Sequence, residues 1–298
     1  MKVLSLFSGI GAFEKALERL GIEYELVNYC EIDKYASRSY SVIHNVSEEK
    51  NLGDITKIDI NTLPKDITLI THGSPCQDFS VAGHNKGGDE GSGTRSSLMY
   101  ETIKIVKHCQ PKYVIWENVK NVISKKHRHN FNNYLKALSE LGYLNYWQVL
   151  NSKDYGVPQN RERVFVVSIN KDLKVDFKFP NPIKLKKTLK DVLETDVDDK
   201  YLLSQRMIKG MQKTNFESYK LENKLLDVNG VANTIIARFQ GTPQCIRIKE
   251  ATKKGYKEAF EGDSINLSFP ASKTRRGRVG KQVAQTITCH PQQGVVIK

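Results

Sequence analysis

The sequence has few cysteines and no paired ones: five in 298 residues, at positions 30, 76, 109, 245 and 289, with no C-x-x-C spacing. That pattern excludes a disulfide framework and a cysteine-ligated zinc centre. Each thiol therefore reads first as a small buried hydrophobe, and no metal site is expected. Long apolar runs are also missing. None approaches the ~18 residues that a membrane-crossing helix needs, and the opening stretch, Met1 to Phe7, is too short and too soon interrupted for a signal peptide. A cytoplasmic protein with no membrane partner is expected. Acidic residues are short as well, with 33 Asp and Glu against 46 Lys and Arg, a net charge of +13. The imbalance is local. Residues 1–170 carry 21 basic and 19 acidic side chains, and residues 171–298 carry 25 and 14. The second part either meets a polyanion or is simply a solvated basic surface.

Apolar residues fill 39% of the chain, enough for a packed core, and their spacing divides it. Up to about residue 170, short apolar runs alternate with helical spacing. Strands are predicted at Val3–Phe7, Tyr24–Tyr29, Ile67–Thr71 and Tyr113–Trp116, with a final hairpin at Trp147–Leu150 and Val164–Ile169. Helices are predicted at Ala12–Leu20, Lys34–Ile43, Met99–His108 and Asn130–Leu141, the last stopped by Gly142. Strands separated by helices imply an α/β fold built on a doubly wound, mostly parallel sheet. Ligands of such sheets sit outside the carboxyl ends of the strands. Beyond residue 170 the pattern loses its period, and residues 171–298 read as a smaller, irregular second domain. Its stretch Ser272–Lys281, with Arg275, Arg276 and Arg278, reads as a phosphate-contacting loop or as an exposed turn.

Chemistry-bearing residues cluster at the predicted strand ends. Phe7-Ser8-Gly9-Ile10-Gly11 joins the first strand to the first helix, where glycines let backbone N–H groups approach a ligand. Glu31 follows the second strand. It is either a surface acid or a carboxylate placed to accept both ribose hydroxyls, with Asp54 placed to take an adenine amino group. Gly73-Ser74-Pro75-Cys76-Gln77 follows another strand. Cys76 there is either a buried structural thiol or a rigidly held nucleophile. Glu117 closes the apolar run Tyr113–Trp116 at the same edge, and in apolar surroundings could act as a proton donor. Arg161 and Arg163 stand two apart where a strand begins, and a shared strand would point them the same way. Paired guanidiniums suit a phosphate or a base carbonyl.

Taken in order, Phe7–Gly11, Glu31, Asp54, Pro75-Cys76-Gln77, Glu117-Asn118-Val119 and Gln159–Arg163 resemble the successive motifs of the cytosine-C5 DNA methyltransferase family, in wording near its phage and Gram-positive bacterial members. The resemblance implies a Rossmann-like fold that uses S-adenosylmethionine. It implies residues 1–170 as the catalytic and cofactor-binding domain and 171–298 as the target-recognition region. The cofactor would be held by Phe7, Ser8, Gly9, Ile10, Gly11, Glu31, Ile32, Asp54, Ile55 and Pro75. Cys76 would attack C6 of a flipped cytosine, Glu117 would act at N3, and Arg163, supported by Arg161, would hold the O2 carbonyl. The stretch Asp78–Ser97 resembles the family's active-site loop, with Ser80 and Arg95 as DNA contacts. Arg238, Arg275, Arg276 and Arg278 are expected to touch DNA from the second region.

The implied partner is double-stranded DNA. Two features of the family do not occur: its helical Arg/Leu-rich block and its Gly-Asn-x-Val block, for which Asn229-Gly230-Val231 has the wrong order. The chain reads as a copy truncated at its C-terminus, as one half of a split enzyme completed by a second polypeptide, or as a fragment. Competing readings are a non-catalytic DNA-binding remnant, an RNA cytosine methyltransferase and a nicotinamide oxidoreductase. The last leaves Pro75-Cys76 and the two arginines unexplained.

Overall fold

A computed structural model describes residues 1–75, 95–193 and 225–234, together with the strand backbones at 245–246, 264–266, 279–280 and 293–295. The chain forms two compact units, Met1–Asn151 with Glu162–Asn181, and Ser152–Arg161 with Pro182–Lys298.

In the first unit, strands β1 (Lys2–Leu6), β2 (Glu25–Cys30), β3 (Leu69–His72), β4 (Tyr113–Val119) and β5 (Tyr143–Asn151) alternate with helices α1 (Ala12–Arg19), α2 (Lys34–His44), α3 (Met99–Cys109) and α4 (Arg128–Glu140). The helices begin and end where local chemistry dictates. Asp33 caps α2 by accepting from the backbone N–H groups of Tyr35 and Ala36, both at 2.9 Å. Asn45 and Gln110 close α2 and α3 in the left-handed conformation.

A second short strand, β6 (Gln159–Asn160), belongs to the other unit, and β7 (Glu162–Asn170) returns to the first. The six-stranded sheet has the order β2-β1-β3-β4-β7-β5. Strands β1 to β4 run parallel, and β7 runs antiparallel to both of its neighbours. The expected mostly parallel, doubly wound α/β sheet is therefore observed. The predicted hairpin strands do pair with each other, but β7 also inserts between β4 and β5, an order that periodicity does not reveal.

Side-chain alternation on the strands sorts the core. Leu4, Leu6, Ile70, Val114, Trp116, Val164 and Val166 share one cluster with Phe131, Tyr134 and Leu138 of α4 and Ile105 and Val106 of α3. On β2 a register shift opposite Val3 and Leu4 changes the alternation, so Leu26 and Tyr29 join Tyr40 of α2 in a second cluster. Tyr29 and Tyr40 stack with ring centroids 4.1 Å apart. Helix α1 forms where its apolar spacing places it, yet its stripe does not face the core. Ala12, Ala16 and Leu20 are exposed, and the buried residue is Glu14. Both Glu14 carboxylate oxygens lack a hydrogen-bond partner among the described residues.

In the second unit β6 pairs in parallel with β9 (Ala232–Asn233), and β8 (Leu225–Leu226) with β10 (Cys245–Ile246). The strand β11 (Ser264–Asn266) lies antiparallel between β12 (Val279–Gly280) and β13 (Gln293–Val295). Among the described residues of this unit the strands are two or three residues long, too short to leave a hydrophobic period. No helix of the described residues is long and apolar enough to cross a membrane, and no group of three or more potential metal ligands occurs among them.

Candidate active site

The sheet register builds the site. Leu6 is paired with Cys30 and with His72, and His72 is paired with Trp116. The next residue on each strand is therefore Phe7, Glu31, Gly73 and Glu117, a row along the carboxyl edge. Strand β4 outruns β3 by three residues, which places Glu117 beside Gly73. A Cβ added to Gly73 would stand 3.8 Å from Glu117 Oε2 and 3.9 Å from the Phe7 carbonyl oxygen.

At one end of the row lies the turn from β1 to α1. Phe7, Gly9 and Gly11 all have positive φ, at 51°, 56° and 83°. A left-handed phenylalanine costs about 1–2 kcal/mol, a strain of the kind that concentrates at ligand sites. The turn is tied to β2 because the Ser8 N–H donates to the Cys30 carbonyl at 3.1 Å and the Gly9 N–H to Glu31 Oε2 at 2.9 Å. Glu31 Oε1 accepts from the Asp33 N–H at 2.8 Å. Each carboxylate oxygen thus takes one backbone donor and keeps acceptor capacity, as a ribose diol requires.

Behind Glu31 stands Asn51, which the sequence reading does not single out. Asn51 Oδ1 accepts from the Glu31 and Gly53 N–H groups, and Asn51 Nδ2 donates to the Glu31 carbonyl and to Ser37 Oγ. These bonds reach 14 and 20 residues along the chain, so no local spacing announces them. Ile32 is 74% exposed and Ile10 56% exposed at the same edge, whereas Ile55 is buried in the core. Asp54 caps a one-turn helix by accepting from the Thr56 hydroxyl at 2.8 Å and its N–H at 3.0 Å, and these bonds hold its carboxyl below the usual range.

Gly11 makes the turn's closest contact. Its missing Cβ would lie 2.1 Å from His44 Nε2 and 2.9 Å from Tyr40 Cε2. His44 in turn bridges the Ile10 carbonyl and Glu18 Oε1, at 3.1 and 2.9 Å. Gly11→Ala combines a strained φ with an overlap against the His44 and Tyr40 rings. It is expected to cost about 2–4 kcal/mol of unfolding free energy, read from a denaturant titration; an unchanged midpoint would refute this account of the turn.

At the other end of the row Glu117 meets Arg163. Arg163 Nε lies 3.0 Å from Glu117 Oε1, with the two side chains 17% and 25% exposed. Arg163 Nη1 also donates to the Glu162 carbonyl at 2.8 Å, and Lys120 Nζ anchors the Glu162 carboxylate at 3.0 Å. The expectation of apolar surroundings for Glu117 is thereby corrected, because a guanidinium faces it. Strand β7 starts at Glu162, and Arg161 precedes it in the second unit, its carbonyl accepting from the Ser152 N–H at 3.1 Å one step beyond the last β5–β7 pair.

Between these ends runs Gly73-Ser74-Pro75, which leads into Cys76. Ser74 is buried and accepts from Trp116 Nε1 through its hydroxyl, at 3.0 Å, and from Asn118 Nδ2 through its carbonyl, at 3.2 Å. Below it His72, fully buried, meets the Tyr134 hydroxyl at 2.6 Å through Nε2 and stacks on Trp116. Burial pushes the His72 pKa down to about 3, so the imidazole is neutral. Cys76, Ser80, the Arg95 side chain, Arg238, Arg275, Arg276 and Arg278 lie outside the described residues.

A glycine turn backed by a carboxylate, at the carboxyl edge of a doubly wound sheet, is where α/β proteins of this class place their ligand sites. The chain belongs to the C-5 cytosine-specific DNA methylase family, whose model matches residues 1–293. It is 40% identical over 262 residues to the orphan methyltransferase M.SPRI of Bacillus phage SPR, covering 78% of this chain and 59% of that protein. It is 35% identical over 297 residues to the orphan methyltransferase M.Rho11sI of Bacillus phage rho11s, covering 81% and 58%. The chain thus spans under three fifths of the length of these relatives. Among solved structures, DNMT2 of Spodoptera frugiperda superposes with a TM-score of 0.61 at 21% identity, over 78% of this chain and 68% of that one, a likeness of fold.

Proposed function

We propose that this chain carries the catalytic centre of a DNA (cytosine-5-)-methyltransferase that uses S-adenosylmethionine. The observation that carries the reading is the row at the carboxyl edge: the Glu31-backed turn at one end, the Glu117–Arg163 pair at the other, and the approach to Cys76 between them. Glu31 accepts the ribose hydroxyls, Ile32 lies against the adenine, Asp54 takes its amino group, and the turn Phe7–Gly11 presents backbone N–H groups. The residues present fit an adenosyl group, since both Glu31 oxygens retain acceptor capacity and Ile32 is an exposed apolar surface at that edge. When bound, S-adenosylmethionine supplies a methyl group on a positively charged sulfur.

Cytosine C5 is a poor nucleophile. Cys76, as thiolate, adds to C6, and the electron pair so released makes C5 enamine-like. Glu117 donates a hydrogen bond or proton to N3 and stabilises the adduct. Arg163 keeps guanidinium N–H groups beyond its Nε bond to Glu117, and these hold the O2 carbonyl. After C5 takes the methyl, a base that solvent can supply removes the C5 proton; that electron pair re-forms the C5–C6 double bond, the Cys76 thiolate leaves, and any proton given to N3 returns to Glu117. The base must leave the duplex to reach the site, which costs a few kcal/mol. The basic second region, with Arg238, Arg275, Arg276 and Arg278, meets the DNA phosphates.

The test is transfer of labelled methyl from S-adenosylmethionine to unmethylated duplex DNA by the purified chain, with tRNA as competing substrate. Labelled DNA is the expected result. Labelled tRNA with blank DNA would turn the reading to an RNA substrate. A folded chain that labels neither would refute activity of this chain alone, and a polypeptide supplying the relatives' further length would be added next.

A further inference from the structure

We propose that Ser74 is a positioning residue for the attacking sulfur, acting through a clamp that Trp116 and Asn118 close on it. The inference rests on the reading of Cys76 as nucleophile.

Gly73-Ser74-Pro75 is the whole of the path from the end of β3 to Cys76. Gly73 leaves its own backbone loosely specified, whereas Pro75 fixes its φ and restricts the residue before it. The remaining freedom lies at Gly73 and Ser74, and Ser74 is the residue held from the side. Its hydroxyl accepts from Trp116 Nε1 at 3.0 Å and from Asn118 Nδ2 at 3.4 Å, and its carbonyl accepts from Asn118 Nδ2 at 3.2 Å. All three residues are buried. A buried indole N–H without an acceptor is costly, and Ser74 supplies that acceptor.

Trp116 and Asn118 are two apart on β4 and share a face, while Glu117 between them projects from the other. One strand therefore grips the approach to Cys76 with one face and presents the acid with the other. The hold on Ser74 and the placement of Glu117 both come from three successive residues of β4. Trp116 is itself held by the His72 stack and by Phe131 and Tyr134 of α4, so the clamp is anchored in the main core and not in a loop.

The test measures steady-state and single-turnover methyl transfer to duplex DNA by wild type, Ser74→Ala, Ser74→Thr, Trp116→Phe and Cys76→Ala, with thermal melts of each. A misplacement of about 1 Å costs about 100-fold in rate. Ser74→Ala and Trp116→Phe are therefore expected to lower kcat by about 10- to 100-fold, with KM for DNA and for S-adenosylmethionine unchanged. Ser74→Thr, which keeps the hydroxyl, is expected to restore most of the rate. A Ser74→Ala/Trp116→Phe double variant should be no slower than Ser74→Ala, because Ser74→Ala already removes the bond that Trp116→Phe removes. Trp116→Phe keeps the aromatic bulk and so reads the hydrogen bond even if Ser74→Ala folds poorly. Wild-type kcat in folded Ser74→Ala and Trp116→Phe would overturn the clamp while leaving Cys76 as nucleophile. Transfer that survives Cys76→Ala would overturn the nucleophile reading and the clamp with it.

Discussion

Cys76→Ala is expected to lower methyl transfer by about 1,000-fold or more, and to leave S-adenosylmethionine binding within a few-fold of wild type. The two readouts separate because the groups involved are separate. Glu31 is fixed by the N–H groups of Gly9 and Asp33 and backed by Asn51, none of which depends on a thiol. The chemical step has no such redundancy. Without addition at C6, C5 keeps the low nucleophilicity of an aromatic ring carbon, and neither Glu117 nor Arg163 changes that alone. Calorimetric titration with S-adenosylmethionine reports binding, and single-turnover labelling reports chemistry. Normal labelling by the alanine variant would remove Cys76 from the mechanism.

Glu117→Gln should slow single-turnover transfer by about 100- to 10,000-fold, the range of a lost general acid. The amide is nearly isosteric and can still donate a hydrogen bond, but it cannot pass a proton to N3. Arg163 makes the experiment sharper. Its guanidinium sits 3.0 Å from the carboxylate, so the glutamine variant also loses a charge partner, and Arg163 is freed from one contact. The side chains are 17% and 25% exposed, which places the pair between a surface ion pair of little worth and a fully buried one. The loss of rate should therefore far exceed any loss of stability. If melting temperature falls sharply while the rate per folded molecule is unchanged, Glu117 is a structural residue and its acid role fails.

Much of the first unit was legible in the sequence. Apolar runs of four to six residues followed by helical spacing located β1 through α4, because a strand covered on both faces and a helix packed on one each leave a distinct period. That Phe7, Glu31, Gly73 and Glu117 stand in one row at the strand ends was legible from where the apolar runs stop, since a parallel sheet gathers such residues at its carboxyl edge. What was not legible came from partners far apart in the chain. Asn51 behind Glu31 and Arg163 opposite Glu117 are set by long-range pairing, and spacing of 20 or 46 residues carries no local signal. The direction of the α1 stripe was not legible either: the period marks that a helix is amphipathic, and the exposed Leu20 beside a buried Glu14 shows that it does not say which side meets the sheet. Beyond residue 170, the strands among the described residues are two or three residues long, too short to imprint a period.

The place of β7 has a consequence for how the molecule is made. A ribosome delivers β4, α4 and β5 before β7, and β5 cannot take its final neighbour until β7 exists. Until then one edge of β4, carrying Val114 and Trp116, stands open, the kind of unpaired apolar edge that invites association with other nascent chains. Glu117 is synthesised 46 residues ahead of Arg163, so the acid waits without its counter-charge until the last strand slides in between. Insertion of a strand between two already-formed neighbours is a late, long-range event. In this fold, completing the sheet and bringing Arg163 against Glu117 are the same step, and a nascent chain halted short of residue 162 would lack both.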